Sequence, residues 1–576
     1  MARMRFLGIA LLTTGSLLAL ASTQDSAAPA RTQEPPPLAA TDRWRHGPFA
    51  TGAACGMCHA SSANATAMRD AQGRSVAPHN LWSGSMMANS SRDPVWRAFV
   101  SAEVAAHPEH REHIEAECMR CHAPMAAEEI RQNGGGKLGF ALLYGSGEDP
   151  LTQLALDGAS CTTCHQLPAE GLGDAATFSG RFSIGSAGVI YGPHENPVPG
   201  PMRMHVQYTP THGPHVQRSA LCASCHTLFT KPHDAAPERE AFFPEQTPYL
   251  EWRNSVFDDE RADPSPEAQS CQGCHMPTTD LEGLAIETRL AHNPGGRDFP
   301  FLEPRSPFAR HLLLGGNTLT PGLLRDFADE LRPAATKETF DAVIEATRTQ
   351  LRERTAALHI DGAKRTADQL LLLLRVENRV GHKFPSGIPV RRAWLRVRVR
   401  DASGKLLFAS GEHDASGRLV DARGDLLAIE RRGGPVEPHR ARIERDSEVA
   451  LFEALMQDQQ GRITWRLLEA AGYAKDNRFL PRGWDPAHAD AEATRPHGVA
   501  FGDDFRGGEA SVRYAIALPR DAGELEVEAT LLYQPLGARH WEEAQAYDTP
   551  ELRALGRYLQ GRLATEKVAE TTLRLR

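Results

Sequence analysis

The chain has 576 residues, more than one hydrophobic core of ordinary size accommodates, so at least two folded units are expected. A formal net charge of -9 argues against nucleic-acid binding, which needs a basic surface to displace counterions from phosphates. Composition is globular, 41% hydrophobic and 24% charged, yet 40 prolines and 49 glycines imply much loop that something besides a large apolar core must hold.

At the amino terminus Arg3 and Arg5 precede a mostly apolar stretch over 6–21 that closes on Ala19-Leu20-Ala21. This is the layout of a secretory signal peptide, expected over 1–21 with cleavage after Ala21, and it is short for a membrane span; a retained anchor is the competing reading. Export would place the mature chain in the periplasm, at the cell surface or outside the cell. Residues 22–45, with Pro35-Pro36-Pro37, read as a Pro/Ala-rich linker. No later apolar run is long enough to cross a bilayer, so no transmembrane span is expected in the mature chain.

All ten cysteines then fall in five copies of one pattern: Cys55-Gly-Met-Cys58-His59, Cys118-Met-Arg-Cys121-His122, Cys161-Thr-Thr-Cys164-His165, Cys222-Ala-Ser-Cys225-His226 and Cys271-Gln-Gly-Cys274-His275. Two thiols three positions apart on a helical turn point the same way and can add across the two vinyl groups of one haem. The histidine that follows is placed to give its neutral imidazole to the iron. The pattern predicts five covalently bound haem c groups, with His59, His122, His165, His226 and His275 as proximal iron ligands. Zinc would take four ligands per site, into which five pairs do not divide evenly. Disulfides give no reason for a histidine after every second cysteine, and a thioredoxin-like motif would occur once.

The motif starts lie 63, 43, 61 and 49 residues apart, an irregular repeat that suggests one packed pentahaem cytochrome c domain over 46–320 rather than a solenoid. Short helices are expected over 94–106 and 109–118, with glycine and proline stretches at 134–136 and 192–201. A helical connector follows over 321–360, broken at Pro333 and amphipathic from Lys337.

Beyond Gln369 the period changes to two. Leu395, Val397 and Val399 alternate with arginines, then the turn Asp401-Ala402-Ser403-Gly404 leads to an apolar run at 406–409. Val512, Tyr514, Ile516 and Leu518 alternate likewise, as do Leu525, Val527, Ala529, Leu531 and Tyr533. A β-sandwich-like domain over 361–576 is expected, with a closing helix around 550–563. The fold class is therefore multidomain: a loop-rich, mainly α multihaem cytochrome c domain followed by a mainly β, sandwich-like C-terminal domain.

An electron carrier gives each iron a second axial ligand, whereas a haem that does chemistry keeps one face accessible. With 24 histidines in the chain, supply does not decide between them. In the motif region His79, His107, His110, His113, His205, His212, His215, His233 and His292 are within reach. His79, ahead of Leu81-Trp82, and His215, just before the fourth motif, are the stronger distal candidates. Met86 and Met87 are thioether alternatives or core packing. His382 stands apart in Gly381-His382-Lys383-Phe384-Pro385-Ser386-Gly387, a loop between strands that either presents an imidazole to a docked haem or holds an ordinary turn histidine.

The five motifs, with Trp82-Ser83-Gly84-Ser85-Met86-Met87-Ala88, Arg92-Asp93-Pro94, Cys274-His275-Met276-Pro277 and the 381–387 loop, resemble the multihaem cytochrome c family of the cytochrome c-552/4 class. That class includes a tetrahaem carrier working beside hydroxylamine oxidoreductase. The resemblance implies periplasmic or cell-surface electron transfer through stacked, mostly bis-histidine haems, and favours His382 as a distal ligand. The chain departs from the tetrahaem pattern in its fifth motif and its long β-rich tail. It also lacks the Cys-x-x-Cys-Lys haem of pentahaem nitrite reductases, whose activity is not carried over. The expected function is electron transfer between redox partners, either other redox proteins or an extracellular or quinone-linked acceptor or donor. The alternative is a multihaem oxidoreductase with one open-faced haem acting on a small nitrogen, sulfur or oxygen compound.

Overall fold

The computed structural model describes residues 34–576 apart from Gly135, 186–187, 236–241 and Arg562, so the expected signal over 1–21 and the linker up to residue 33 lie outside the described residues. Residues Glu34–Arg576 form one compact unit.

The motif region is a succession of short helices. Pro78–Ser83, Pro94–Ala106, Pro124–Asn133, Pro150–Leu156, Pro199–His205 and Pro248–Arg253 all begin at proline, whose fixed φ suits the first helical turn and whose missing N–H costs nothing there. Asp93 caps the second of these, accepting from the N–H of Val95 and Trp96 at 2.8 and 3.3 Å. The helix expected over 94–106 forms at those bounds. The one expected over 109–118 forms as Arg111–His122, after a 3-10 turn at Pro108–His110. The 192–201 stretch is more ordered than its composition implies: Val189–Gly192 pairs in parallel with Thr209–His212, and a helix starts at Pro199. Apolar packing here is divided among clusters, the largest including Phe49, Val100, Ile114, Met119, Met125 and Leu154.

Downstream lie the helices Leu319–Asp326, Ala328–Leu331 and Lys337–Gln350; Arg332 takes a left-handed conformation just before Pro333. Leu323, Leu324 and Phe340 pack with Ala98 and Ala102 of the motif region and with Leu552 and Leu555 of the late helix Pro550–Leu559.

The β region begins earlier than the period-two pattern suggested, at Ala356–Arg365. One sheet runs in the order Arg442–Ile443, Glu509–Ala517, Gln369–Asn378, Ala356–Arg365. The other runs Ile463–Thr464, Leu451–Gln457, Arg392–Asp401, Leu525–Gln534, Glu566–Leu575. Leu406–Ser410 pairs antiparallel with Arg392–Asp401, which makes the expected hairpin. Alternate residues of both sheets (Leu370, Leu372, Leu374, Val512, Tyr514 and Ile516 from one, Val397, Val399, Val527, Ala529 and Leu531 from the other) share one buried core, the arrangement of a sandwich. The chain ends in the strand Glu566–Leu575 rather than in the expected helix, which stops at Leu559. That final strand buries little besides Val568, so its apolar signal is weak.

Candidate haem centre

Each motif lies on a helical turn. The segments are Gly52–His59, Arg111–His122, Cys161–Cys164, Ala220–Ala223 and Cys271–His275. Local spacing thus aligns the thiols of each pair, but the fold does more by bringing thiols of different motifs together. The thiols of Cys55 and Cys161, of Cys121 and Cys225, and of Cys222 and Cys271 lie side by side, close enough to shift one another's ionisation. Cys164 is close enough to Cys222 and Cys225 for its charge to be felt by both. The first motif therefore abuts the third, and the fourth abuts the second, the third and the fifth.

Four of the five motif imidazoles are fixed through one nitrogen. The Nδ1 of His59 donates to the Leu290 carbonyl at 3.0 Å, that of His122 to Ser90 at 2.8 Å, that of His165 to Tyr191 at 2.6 Å, and that of His275 to Leu314. Anchoring Nδ1 selects the tautomer with a lone pair on Nε2, the form a metal takes. Burial lowers the pKa of all five, to about 4 for His122 and His275, and so keeps the rings neutral.

Two motif imidazoles face a second one. The rings of His275 and His382 have centroids 6.3 Å apart and an 11° interplanar angle; those of His165 and His311 are also 6.3 Å apart, at 24°. Two imidazoles sharing one metal, with bonds of about 2 Å, need ring centres roughly 6 Å apart. His382 and His311 repeat the anchoring pattern, donating Nδ1 to the carbonyls of Lys383 and Ala309 at 3.0 Å each. Burial holds both neutral as well, His311 at about 4. Paired thiols beside anchored neutral imidazoles are a donor set that fits haem c.

Other solved proteins offer a distant likeness. The chain is similar to a penta-heme cytochrome c552 from Thermochromatium tepidum at 15% identity and a TM-score of 0.43, over 86% of this chain and 96% of that one. No family model matches the chain, and no curated protein does.

The remaining candidates are placed differently. The ring of His79 rests on the first motif: a Cβ added at Gly56 would lie 2.9 Å from it. His215 is buried edge-on to Tyr191, with Nε2 rather than Nδ1 engaged, on the Leu167 carbonyl at 2.8 Å. His292 has both nitrogens on carbonyls, of Asn293 and Ala60. His311 was not among the residues singled out in the sequence; it sits in the 309–314 loop, which presents that ring to His165 while its Leu314 carbonyl anchors His275.

The segment from Trp82 to Pro94 braces three motifs. The Trp82 ring lies against Gly52 of the first motif helix, where an added Cβ would clash with it, and its Nε1 donates to the Ala159 carbonyl beside the third motif at 3.0 Å. Ser90 holds His122 of the second motif through both its carbonyl and its hydroxyl. Arg92 is buried and fastens the Leu331 and Ala39 carbonyls. These residues position the motifs.

His382 is presented by a rigid loop. Phe384 exchanges backbone hydrogen bonds with Phe479, and the Asn378 side chain donates to the His382 carbonyl at 2.9 Å. Gly381 approaches Trp252 so closely that a Cβ would lie 3.0 Å from its ring. Beneath the loop, Asp476 accepts from Lys383 and Arg478 at 2.7 Å, all three buried. Although burial opposes ionisation, Arg478 and Lys383 outweigh it and hold the Asp476 carboxyl well below the usual range. Its folded pKa is below its unfolded one, so its stabilisation is present above about pH 4 and is lost as pH falls through the folded value. Asp476→Asn takes from two buried cations the carboxylate they share and is expected to cost about 3–5 kcal/mol, read as a lower denaturation midpoint. An unchanged midpoint would show that the triad does not support the loop.

Proposed function

We propose that the chain is an exported pentahaem c-type cytochrome that binds one haem at each Cys-x-x-Cys-His turn and carries electrons between redox partners. The contact of all five motifs in one connected group carries this reading, because it sets five attachment sites side by side. When bound, the haems supply one-electron redox chemistry. The chain's own part is to hold the thiols in register, keep the imidazoles neutral and fix their Nδ1 atoms. His382 and His311 are the second ligands we assign to the fifth and third motifs, leaving His79 and His215 as candidates elsewhere. The body over 46–320 bears the haems, the 321–360 segment connects, and 361–576 supplies His382. Among the described residues no helix is long and apolar enough to cross a membrane. Partners are other redox proteins or an extracellular or quinone-linked donor or acceptor.

A second reading, an oxidoreductase with one open-faced haem acting on a small nitrogen, sulfur or oxygen compound, is favoured by the surroundings of the second motif. Burial pushes the Glu245 carboxyl up to about 8 and that of Glu103 to about 7, and the charges of both are felt by Cys118. Carboxyls that keep protons near neutrality beside an iron suit reactions that consume protons.

One preparation tests both readings. Protein from a host that matures c-type cytochromes is expected to carry the mass of five haems; a colourless product or fewer haems would sink the proposal. Carbon monoxide added to the reduced protein then separates the readings. Five low-spin irons indifferent to the gas leave electron carriage, whereas one high-spin iron that binds it selects the oxidoreductase.

A further inference from the structure

Away from the motif imidazoles, a second set of metal-ligating side chains is gathered where the motif region meets the sandwich. His107 caps the helix Pro94–Ala106, His110 ends the next turn, His233 follows the strand Leu228–Thr230, and Glu469 comes from the turn Leu467–Glu469. His107 Nε2 and Glu469 Oε1 are 2.6 Å apart, and single donor atoms of His107, His233 and Glu469 all lie within 4.8 Å of one another. The rings of His107 and His233 have centroids 3.8 Å apart, and His110 stands 4.7 Å from His233.

Three imidazoles this close would ordinarily be separated by water or tied to acceptors. Here both ring nitrogens of His233 are buried without a hydrogen-bond partner among the described residues, which leaves two polar atoms whose desolvation no described group repays. Its backbone N–H donates to the Leu468 carbonyl at 2.9 Å, which places the residue beside Glu469. Glu469 is oriented as a ligand would be: Oε2 accepts from Thr464 Oγ1 and Oε1 from Arg466 Nε, at 2.6 Å each. Glu109 lies beside His107 and His110 and the charge of Asp234 is felt by His233, while Arg466 pairs with Glu469.

We propose that His107, His233 and Glu469 bind a divalent cation of the zinc class, with His110 close enough to close the site. Two imidazoles and one carboxylate are a donor set that zinc accepts, and imidazole nitrogen excludes calcium and magnesium as the preferred occupants. The cation would clasp the motif region to the sandwich, since Glu469 belongs to the latter.

The test uses the haem-loaded protein, stripped with a chelator, dialysed and titrated with zinc chloride alone. Metal analysis is expected to give one zinc per chain, and His107→Ala, His233→Ala and Glu469→Gln are each expected to weaken zinc by at least about tenfold with haem absorption unchanged. Absence of bound zinc in the parent protein would overturn the proposal. So would equal zinc binding by Glu469→Gln, the variant least disturbing to packing, or a changed haem spectrum in His233→Ala, which would give that imidazole to iron.

Discussion

Replacing His311 by alanine in the haem-loaded protein is expected to turn one iron in five from low-spin to high-spin and to create one site for carbon monoxide per chain. The ring of His311 stands 6.3 Å from that of His165 and leaves Nε2 free by donating Nδ1 to Ala309. Among the described residues its hydrogen bond is to the Ala309 carbonyl of its own loop, so its removal strips no other side chain of a partner. His382→Ala is expected to do the same at the iron of His275, and the double variant at two irons. Absorption and electron paramagnetic resonance count the spin states, while gas titration counts the open faces. If His311→Ala keeps the parent spectrum and binds no gas, the 6.3 Å spacing is packing and the assignment falls. His382→Ala remains an independent check, because its loop is braced by the sandwich rather than by the 309–314 segment.

The two pairings show what the sequence could and could not convey. The five motifs were legible because attachment depends on residues three positions apart, and a helical turn turns that spacing directly into geometry. His382 was legible as a glycine- and proline-bounded loop between two runs of period two. His311 carries no such local mark in Pro307-Phe308-Ala309-Arg310-His311; its meaning comes from the fold that lays it opposite His165, far upstream. The strands tell the same story. The central strand Gln369–Asn378 buries one face and alternates clearly, whereas Ala356–Arg365 and Glu566–Leu575, which the period-two pattern did not mark, are edges of their sheets; Leu451–Gln457, also unmarked, is buried on both faces and so does not alternate. Edge strands stay half solvated, so their alternation is blurred by polar residues on both faces.

The largest effect on electron movement is expected from the fourth motif. Its thiols touch Cys121 of the second motif and Cys271 of the fifth, and its two cysteines feel Cys164 of the third. The first motif touches the third through Cys55 and Cys161. The sites are thus not strung in sequence order: the fourth is a junction and the first is an end. Changing Cys222 and Cys225 to alanine together should lower the mass by one haem and divide the remaining four into separate groups. Reduction by a limiting partner should then become biphasic, with the slow phase at least about tenfold slower than in the parent. The matched variant lacks Cys55 and Cys58; it also loses one haem but leaves four contiguous sites, and its reduction should stay uniform. Both variants remove the same apolar macrocycle from the motif region, so a lower melting temperature common to the two measures lost packing alone. A biphasic trace in both, or in neither, would show that the order of thiol contacts does not set the path of electrons.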